Sequence, residues 1–305
     1  MSENKTILVS GASGFLGKEL VKQLLEGTDY RVIAITSNKD KLLSRFKQSN
    51  NLLILNRSTW LEEIPEDTNI DILVNCAFPR SSEPEKLARG LDFTEQFIRE
   101  TIELNIKKII NISSQSVYSQ KEKSSTDETT PVKPESLYGM TKYATERIVA
   151  SLCESSSQNI NYSNIRLASL TGIELEVRMT NRFVRQALEG KPIIVNGGSQ
   201  KVSYLEVRDA AAALITMINT DSSIWKPVYN LGNFDHLSVL SIAKTVKEEA
   251  KNYSVKNVNI EVKGDSSDFN NLVNTDLFNW EFQWEPRYTI PLMVKDLFEH
   301  YTADE

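Results

Sequence analysis

Cysteine and histidine are scarce, with 2 of each in 305 residues. Cys76 and Cys153 do not make a disulfide framework or a thiolate metal site, and His236 and His300 are too few for a histidine-based triad or a multi-histidine metal centre. No metal is expected. Clustered positive charge is missing too: the formal net charge is −6, which offers no attraction to a phosphate backbone, so no nucleic-acid partner is expected. Long apolar runs are absent. The longest, such as "AAAALI" from Ala210, falls far short of the ~20 residues that span a bilayer. The first strand-like run begins at Ile7, directly after "MSENKT", which leaves no room for a charged leader, an apolar segment and a cleavage site. The expectation is a cytoplasmic protein with no membrane partner.

What is present is an ordinary globular composition, 40% hydrophobic and 25% charged, in a chain long enough for one large α/β domain or two smaller ones. Short β-branched runs alternate with helical stretches: "TILVSG", "KELVKQLLEG", "RVIAIT", "KDKLLSRF", "NLLIL", "IDILVNCAF", a long segment near Glu85 to Asn105, and "KKIINISS". Such alternation predicts βαβ units and a parallel sheet. The runs are apolar on successive residues, which strands covered on both faces require. The polar stretch "QKEKSSTDETTPVKPE" from Gln120 to Glu135 reads as a loop. Beyond Gly172 the alternation loosens. The pattern predicts an α/β domain over residues 1–167, rejoined by the chain at about 205–232, and a smaller lobe from 168–204 and 233–305.

"ILVSGASGFLGKEL" sets Gly11, Gly14 and Gly17 between the first strand and the helix that follows. Gly11 permits a tight turn, Gly14 lets a phosphate approach backbone N–H groups, and Gly17 lets the helix pack close to the strand. The helix N-terminus then offers unpaired donors to a pyrophosphate. Position favours this reading over a loose turn, because dinucleotides bind at the first βα turn of such sheets. The second strand ends in "VIAITSNKDKL", without the carboxylate that usually holds an NAD ribose. Ser37, Asn38 and Lys39 or Lys41 could take a 2′-phosphate, or Asn38 could simply cap the next helix. NAD or NADP is expected, with NADP slightly favoured.

"KKIINISSQSVYS" ends a strand at Ser113 and Ser114, the carboxyl edge where open α/β sheets bind ligands. "SLYGMTK" then puts Tyr138 and Lys142 four residues apart, on one helix face. A tyrosine with a pKa of about 10 is a poor base near neutrality unless a cation favours its phenolate. Tyr138 would exchange a proton with a substrate alcohol or ketone, Ser114 would bond the same oxygen, and Lys142 would lower the tyrosine pKa and hold the cofactor ribose. Against this stand blander roles: a strand-end hydroxyl capping backbone for Ser114, and a solvated helix residue for Lys142.

Together "SGASGFLG", "VNCAFP", "ISSQSVY", "SLYGMTK", "IRLASLTG", "YLEVRDAA" and "VYNLGN" resemble the extended short-chain dehydrogenase/reductase family, nearly along the whole chain. The resemblance implies a Rossmann-type doubly wound sheet with a small C-terminal substrate lobe, a homodimer built on the tyrosine-bearing helix and the one before it, and a nucleotide sugar as small-molecule substrate. It implies catalytic roles for Ser114, Tyr138 and Lys142. It also implies cofactor contacts from Gly11, Ser13, Gly14, Phe15, Leu16 and Gly17, and from Cys76, Ala77 and Phe78. Asn56 and Arg57 stand where the family usually has an Asp near adenine. Gln115 and Ser116 replace the Asp and Glu that serve water elimination in the family's 4,6-dehydratases, so dehydration is not expected. Val202 and Lys263 stand where substrate-phosphate arginines are expected, leaving Arg178, Arg182 or Arg185 to compensate. The expected function is an NAD(P)-dependent epimerase or 4-ketoreductase of a nucleotide sugar. The alternatives are a reductase of a smaller carbonyl compound and a non-enzymatic dinucleotide sensor.

Overall fold

Short runs rich in β-branched and other apolar residues become the strands of one central sheet. The computed structural model describes residues 5–46, 49–122, 124–255, 257–264 and 269–303. In chain order the first elements are β1 (Thr6–Ser10), α1 (Phe15–Gly27), β2 (Arg31–Thr36), α2 (Lys39–Leu43), β3 (Leu52–Asn56), α3 (Trp60–Glu63), β4 (Ile72–Asn75), α4 (Pro84–Glu103), β5 (Lys108–Ser114), α5 (Leu137–Ser155) and β6 (Asn161–Leu167). There follow β7 (Ser169–Thr171), α6 (Met179–Leu188), β8 (Ile193–Asn196), β9 (Lys201–Val202), β10 (Tyr204–Glu206), α7 (Val207–Asn219) and β11 (Val228–Leu231). The last are β12 (Leu237–Ser238), α8 (Val239–Glu249), β13 (Ile260–Lys263), α9 (Asp276–Phe282) and α10 (Ile290–Thr302).

The main sheet has seven strands in the order β11-β6-β5-β4-β1-β2-β3. Strand β1 pairs in parallel with both β2 and β4, as do β2 with β3 and β4 with β5. This is the doubly wound arrangement of a Rossmann-type fold, in which the winding reverses between β1 and β4 and opens a crevice at their carboxyl ends. Every residue of β1 and β4 is buried, as strands covered on both faces must be.

The chain divides into two compact units. The first comprises Met1–Tyr118, Pro131–Arg166 and Ala211–Tyr229; the second comprises Ser119–Thr130, Leu167–Ala210 and Asn230–Glu305. Residues 119–130, placed by sequence within the first domain, group with the second unit. Thr126 donates to the Leu272 carbonyl through both its N–H and its hydroxyl, and the Glu128 carboxylate accepts the Asn230 N–H. A polar loop gains fixed partners in this way. The second unit's core is built from α6, α8 and α10, with Phe183, Ile242, Val294 and Phe298 fully buried.

Within the first unit a row of buried polar side chains crosses the sheet. Ser10 donates to Asn75 (2.6 Å), Asn75 to Asn111 (2.9 Å), Asn111 to Asn164 (2.8 Å) and Asn164 to the Pro227 carbonyl (3.3 Å). Buried amides are tolerable only when paired, and here each pairs with the next strand over. Among the described residues no helix is long and apolar enough to cross a membrane.

Asn111→Ala would strand the Asn75 amide and the Asn164 carbonyl in the interior. Urea denaturation is expected to show about 2 kcal/mol or more of lost unfolding free energy; an unchanged midpoint would contradict the role given to the row.

Candidate functional site

The turn after β1 needs its glycines for identifiable reasons. Gly11 has φ +63°, and a Cβ there would lie 2.8 Å from the Ala77 backbone. A Cβ on Gly17 would sit 2.3 Å from the Gly11 carbonyl, so only glycine lets α1 pack against the turn. Gly14 occupies the N-cap of α1, where no side chain caps the helix and no acidic residue follows in the first turn. The free N–H groups of Phe15, Leu16 and Gly17 at a helix start suit a pyrophosphate. The neighbouring corner is tied together: Thr36 donates its hydroxyl to Ser13 (2.7 Å), and Arg57 N–H bonds the Thr36 carbonyl (2.9 Å).

The residues proposed for a ribose phosphate have local roles. Asn38 accepts the Lys41 N–H and caps α2, while Lys39 pairs with Glu63 at 2.6 Å; Ser37 is exposed. Lys18 is held down at about 8 by burial, with the charges of Arg45 and Lys41 adding to the effect. Asn56 bonds Ser58 within its own turn, and the Arg57 guanidinium lies 4.0 Å from the Phe93 ring centroid.

Cys76 stands one residue beyond β4 and begins the segment that reaches toward α5. Burial pushes its thiol up to about 12, with the Lys142 charge pulling the other way, so it remains protonated. Ala77 N–H bonds the Ser10 hydroxyl (3.2 Å). The Phe78 ring centroid lies 4.5 Å from Lys142 Nζ and edge-on to Tyr138 at 6.3 Å. Gly90 of α4 makes room for this segment, since a Cβ there would lie 2.6 Å from Pro79.

Ser114, Tyr138 and Lys142 belong to elements packed directly on one another. Ser114 accepts the Ser116 N–H (3.1 Å) and so caps the short 3-10 turn Gln115–Val117. That bond uses a lone pair and leaves the hydroxyl proton to donate, so capping does not exclude a catalytic role. Gly139 abuts this turn: a Cβ would fall 2.2 Å from the Ser116 carbonyl. The glycine between Tyr138 and Met140 therefore brings the tyrosine's helix against the serine's strand end. Lys142 is 3% exposed and donates to the Ile112 carbonyl at 2.5 Å. It is no solvated helix residue. Burial lowers it to about 8, opposed by the carboxylate of Glu146 and by Cys76.

Sequence reasoning passed over Glu146 and Arg166. Arg166 of β6 bonds Glu146 through Nε (2.9 Å) and Nη2 (2.7 Å), and bonds the Tyr118 hydroxyl through Nη1 (2.8 Å). Ser113 donates to the same carboxylate at 2.5 Å. Two signals were available: Glu146 follows Lys142 by four residues, and Arg166 is the one charged residue of β6, between Ile165 and Leu167. Among the described residues no group of three His, Cys, Asp or Glu could hold a metal.

In the second unit, Val202 is 9% exposed within the hydrophobic core, and Lys263 lies 3.8 Å from Glu261. The Val202 side chain thus packs in the apolar interior. Residues 265–268, beside the other expected position, lie outside the described residues. Arg178, at the N-cap of α6, and Arg182 favour the ionised form of buried Tyr204, whose burial nonetheless pushes it up to about 12. Arg185 pairs with Glu176 at 3.6 Å.

A doubly wound sheet with a glycine turn at its switch point and a buried Tyr–Lys helix beside it marks a protein of the dinucleotide-binding α/β class. The chain belongs to the NAD dependent epimerase/dehydratase family, whose model matches residues 7–232. It is 26% identical over 262 residues to an uncharacterised UDP-glucose epimerase of Bacillus subtilis, YtcB, covering 79% of this chain and 81% of that protein. Its fold matches the UDP-glucuronic acid 4-epimerase of Bacillus cereus, solved with a fluorinated UDP-sugar and NAD, at a TM-score of 0.82 and 20% identity, over 98% of this chain and 100% of that one. It also matches a Bacillus anthracis dTDP-glucose 4,6-dehydratase in complex with NAD, at 0.80 and 21%, over 99% and 97%.

The burial of Lys142 has a measurable sign. The native group releases its proton near pH 8, whereas an unfolded lysine holds it to about 10.4. Between these values the unfolded chain binds more protons, so this residue's contribution to stability rises with pH; below pH 8 the buried charge costs about 3 kcal/mol. Lys142→Met should therefore be more stable than the parent at pH 7, by about 1–3 kcal/mol. The difference should shrink as pH rises from 8 to 10. A less stable variant at pH 7 would contradict a buried ammonium.

Proposed function

We propose that this protein is an enzyme that interconverts a secondary alcohol and ketone on a nucleotide sugar, as an NAD-dependent epimerase, with Tyr138 as acid and base. One observation carries the reading: the ammonium of Lys142 is buried one helical turn after Tyr138 and anchored to Ile112, two residues before Ser114. A buried cation fixed at this place favours a phenolate beside it. The glycine turn, the uncapped start of α1 and the segment 76–78 are the residues that would hold the dinucleotide. When bound, NAD supplies a hydride acceptor that can return the hydride to either face of the same carbon. Tyr138 takes the alcohol proton and gives it back, Ser114 donates its hydroxyl proton to the same oxygen, and Lys142 keeps the phenolate accessible.

Elimination of water is disfavoured. Gln115 and Ser116 follow Ser114, and neither carries a carboxyl group to act as the acid or base. NAD is the cofactor this reading takes, because Asn38 and Lys39 are engaged in a helix cap and an ion pair. The cations Lys18, Lys41 and Arg45, close enough to shift Lys18, are what would admit NADP. The second unit would hold the substrate, with Arg178 and Arg182 taking over the phosphate contacts that Val202 lacks. A reductase that exchanges NADPH each turnover is the second reading, favoured by the same cation group.

Thermal-shift titration with NAD, NADP and UDP-, dTDP-, GDP- and CDP-sugars tests the assignment. NAD and at least one nucleotide sugar should each raise the melting temperature, since stabilisation follows occupancy. Silence across the nucleotide sugars would overturn the substrate class. Tyr138→Phe should lose at least about 100-fold in turnover; near-normal turnover would remove the tyrosine from the mechanism.

The reading also carries a cytoplasmic location and a homodimer through α4 and α5. Glu85, Arg89, Asp92, Glu95 and Arg99 are exposed along α4, with Arg99 paired to Glu95 at 2.7 Å. Two copies antiparallel about Asp92 would set Glu85 against Arg99 and Arg89 against Glu95, two opposite-charge pairs on each side of one Asp92–Asp92 contact. Sedimentation should show a dimer that Arg89→Glu weakens and added salt weakens further; a monomer at all concentrations would dismiss this interface.

A further inference from the structure

We propose that Glu146 is a positioning residue for the acid and base pair, keeping Lys142 charged and, together with Ser113 and Arg166, fixing the strand end that carries Ser114. The inference rests on the function proposed for Tyr138 and Lys142, and it deepens that reading.

The geometry is closed on every side. Glu146 follows Lys142 by one helical turn and is 3% exposed, as is Lys142, while Arg166 is 4% exposed. Three cationic or hydroxyl donors converge on one carboxylate: Arg166 Nε and Ser113 on Oε1, and Arg166 Nη2 on Oε2. The Ser113 bond ties the carboxylate to the residue immediately before Ser114. Lys142, in turn, bonds the carbonyl of Ile112, the residue before Ser113. Helix α5 therefore grips the end of β5 at two successive residues, once with an acid and once with a base, and Ser114 comes next.

The charges facing Lys142 are few. Glu146 comes from its own helix and Cys76 from the segment after β4; Arg166 and the Tyr118 hydroxyl stand behind Glu146. Of these, the Glu146 carboxylate is the strongest influence opposing the desolvation that drives the lysine toward neutrality. A neutral Lys142 would cease to favour the Tyr138 phenolate, so Glu146 would govern the protonation of the pair without touching substrate. Arg166 explains why the acid stays in place: a buried carboxylate with only one cation beside it would swing toward the lysine, whereas the two-pronged guanidinium contact fixes its plane.

The test compares Glu146→Gln, which keeps the shape and removes the charge, with Glu146→Asp, which keeps the charge and shortens the reach. The first readout is the pH titration of the Lys142 Cε resonance in cofactor-free protein, assigned by its loss in Lys142→Ala. Its midpoint, near pH 8 in the parent, should fall by about one unit in Glu146→Gln and by less in Glu146→Asp. The second is the alkaline limb of the kcat/KM profile, which should move the same way. If Glu146→Gln does not fold, the Asp variant carries the test alone. A Lys142 midpoint unmoved in whichever variant folds overturns the inference. The proposed function fails separately: a fully active Tyr138→Phe sinks that reading, whereas an inactive Tyr138→Phe with an unmoved Lys142 sinks only this one.

Discussion

An ammonium group taken out of water must be given partners, and the placement of Lys142 organises much of the first unit. Desolvation of a lysine is expensive enough that the group would lose its proton unless hydrogen bonds and opposite charge compensate. The Ile112 carbonyl, the face of Phe78 and the nearby Glu146 supply that compensation. Each demand passes to another element. The helix must approach the strand closely, which Gly139 allows; the Phe78 segment must lie against α4, which Gly90 allows; and the Glu146 carboxylate needs its own cation, which β6 provides in Arg166. The arrangement is costly in stability, as buried ion pairs commonly are when set against an apolar alternative. Such cost at one place is what a reactive site looks like energetically.

Several residues serve structure and chemistry through different atoms or lone pairs. Ser114 accepts a backbone N–H to cap the turn and still has a proton to donate. Ser10 donates to Asn75 and accepts from Ala77, so it joins the polar row across the sheet to the segment beside Lys142. That row fixes the strands laterally, where parallel pairing alone sets register but not the orientation of interior amides. Asn38 is the opposite case. Its carbonyl is committed to the α2 cap, which weakens the claim that it reads a ribose.

Local features were legible in the sequence. The strand and helix alternation, the glycine turn and the Tyr138–Lys142 spacing all depend on neighbours within a few residues, where periodicity and backbone chemistry decide. The partners of Lys142 were not legible. Glu146 meets Arg166 only because β6 lies beside β5, and Asn75, Asn111 and Asn164 align only once the strand order is known. The stretch from Gln120 to Glu135 read as a plain loop because the carbonyl of Leu272 and the amide of Asn230, which fix Thr126 and Glu128, come from distant sequence. Gly90 drew no reading from sequence; its reason is the Pro79 ring against it.

The two units depart from the family pattern to different degrees, and the difference bears on what the protein does. In the first unit the glycine turn and the Ser114, Tyr138 and Lys142 constellation are intact and tightly constrained by packing. In the second, Val202 is packed into the core where a phosphate-binding arginine is expected, so restoring a cation there would bury a charge among Phe183, Ile242 and their neighbours. The absence is thus built into the packing and is not a single lost contact. The hydroxyl and ammonium groups proposed for proton transfer all lie in the first unit, whereas the second unit's core takes no cation at Val202 without burying it. In the function proposed above, diphosphate contacts fall to Arg178 and Arg182, whose charge already acts on Tyr204.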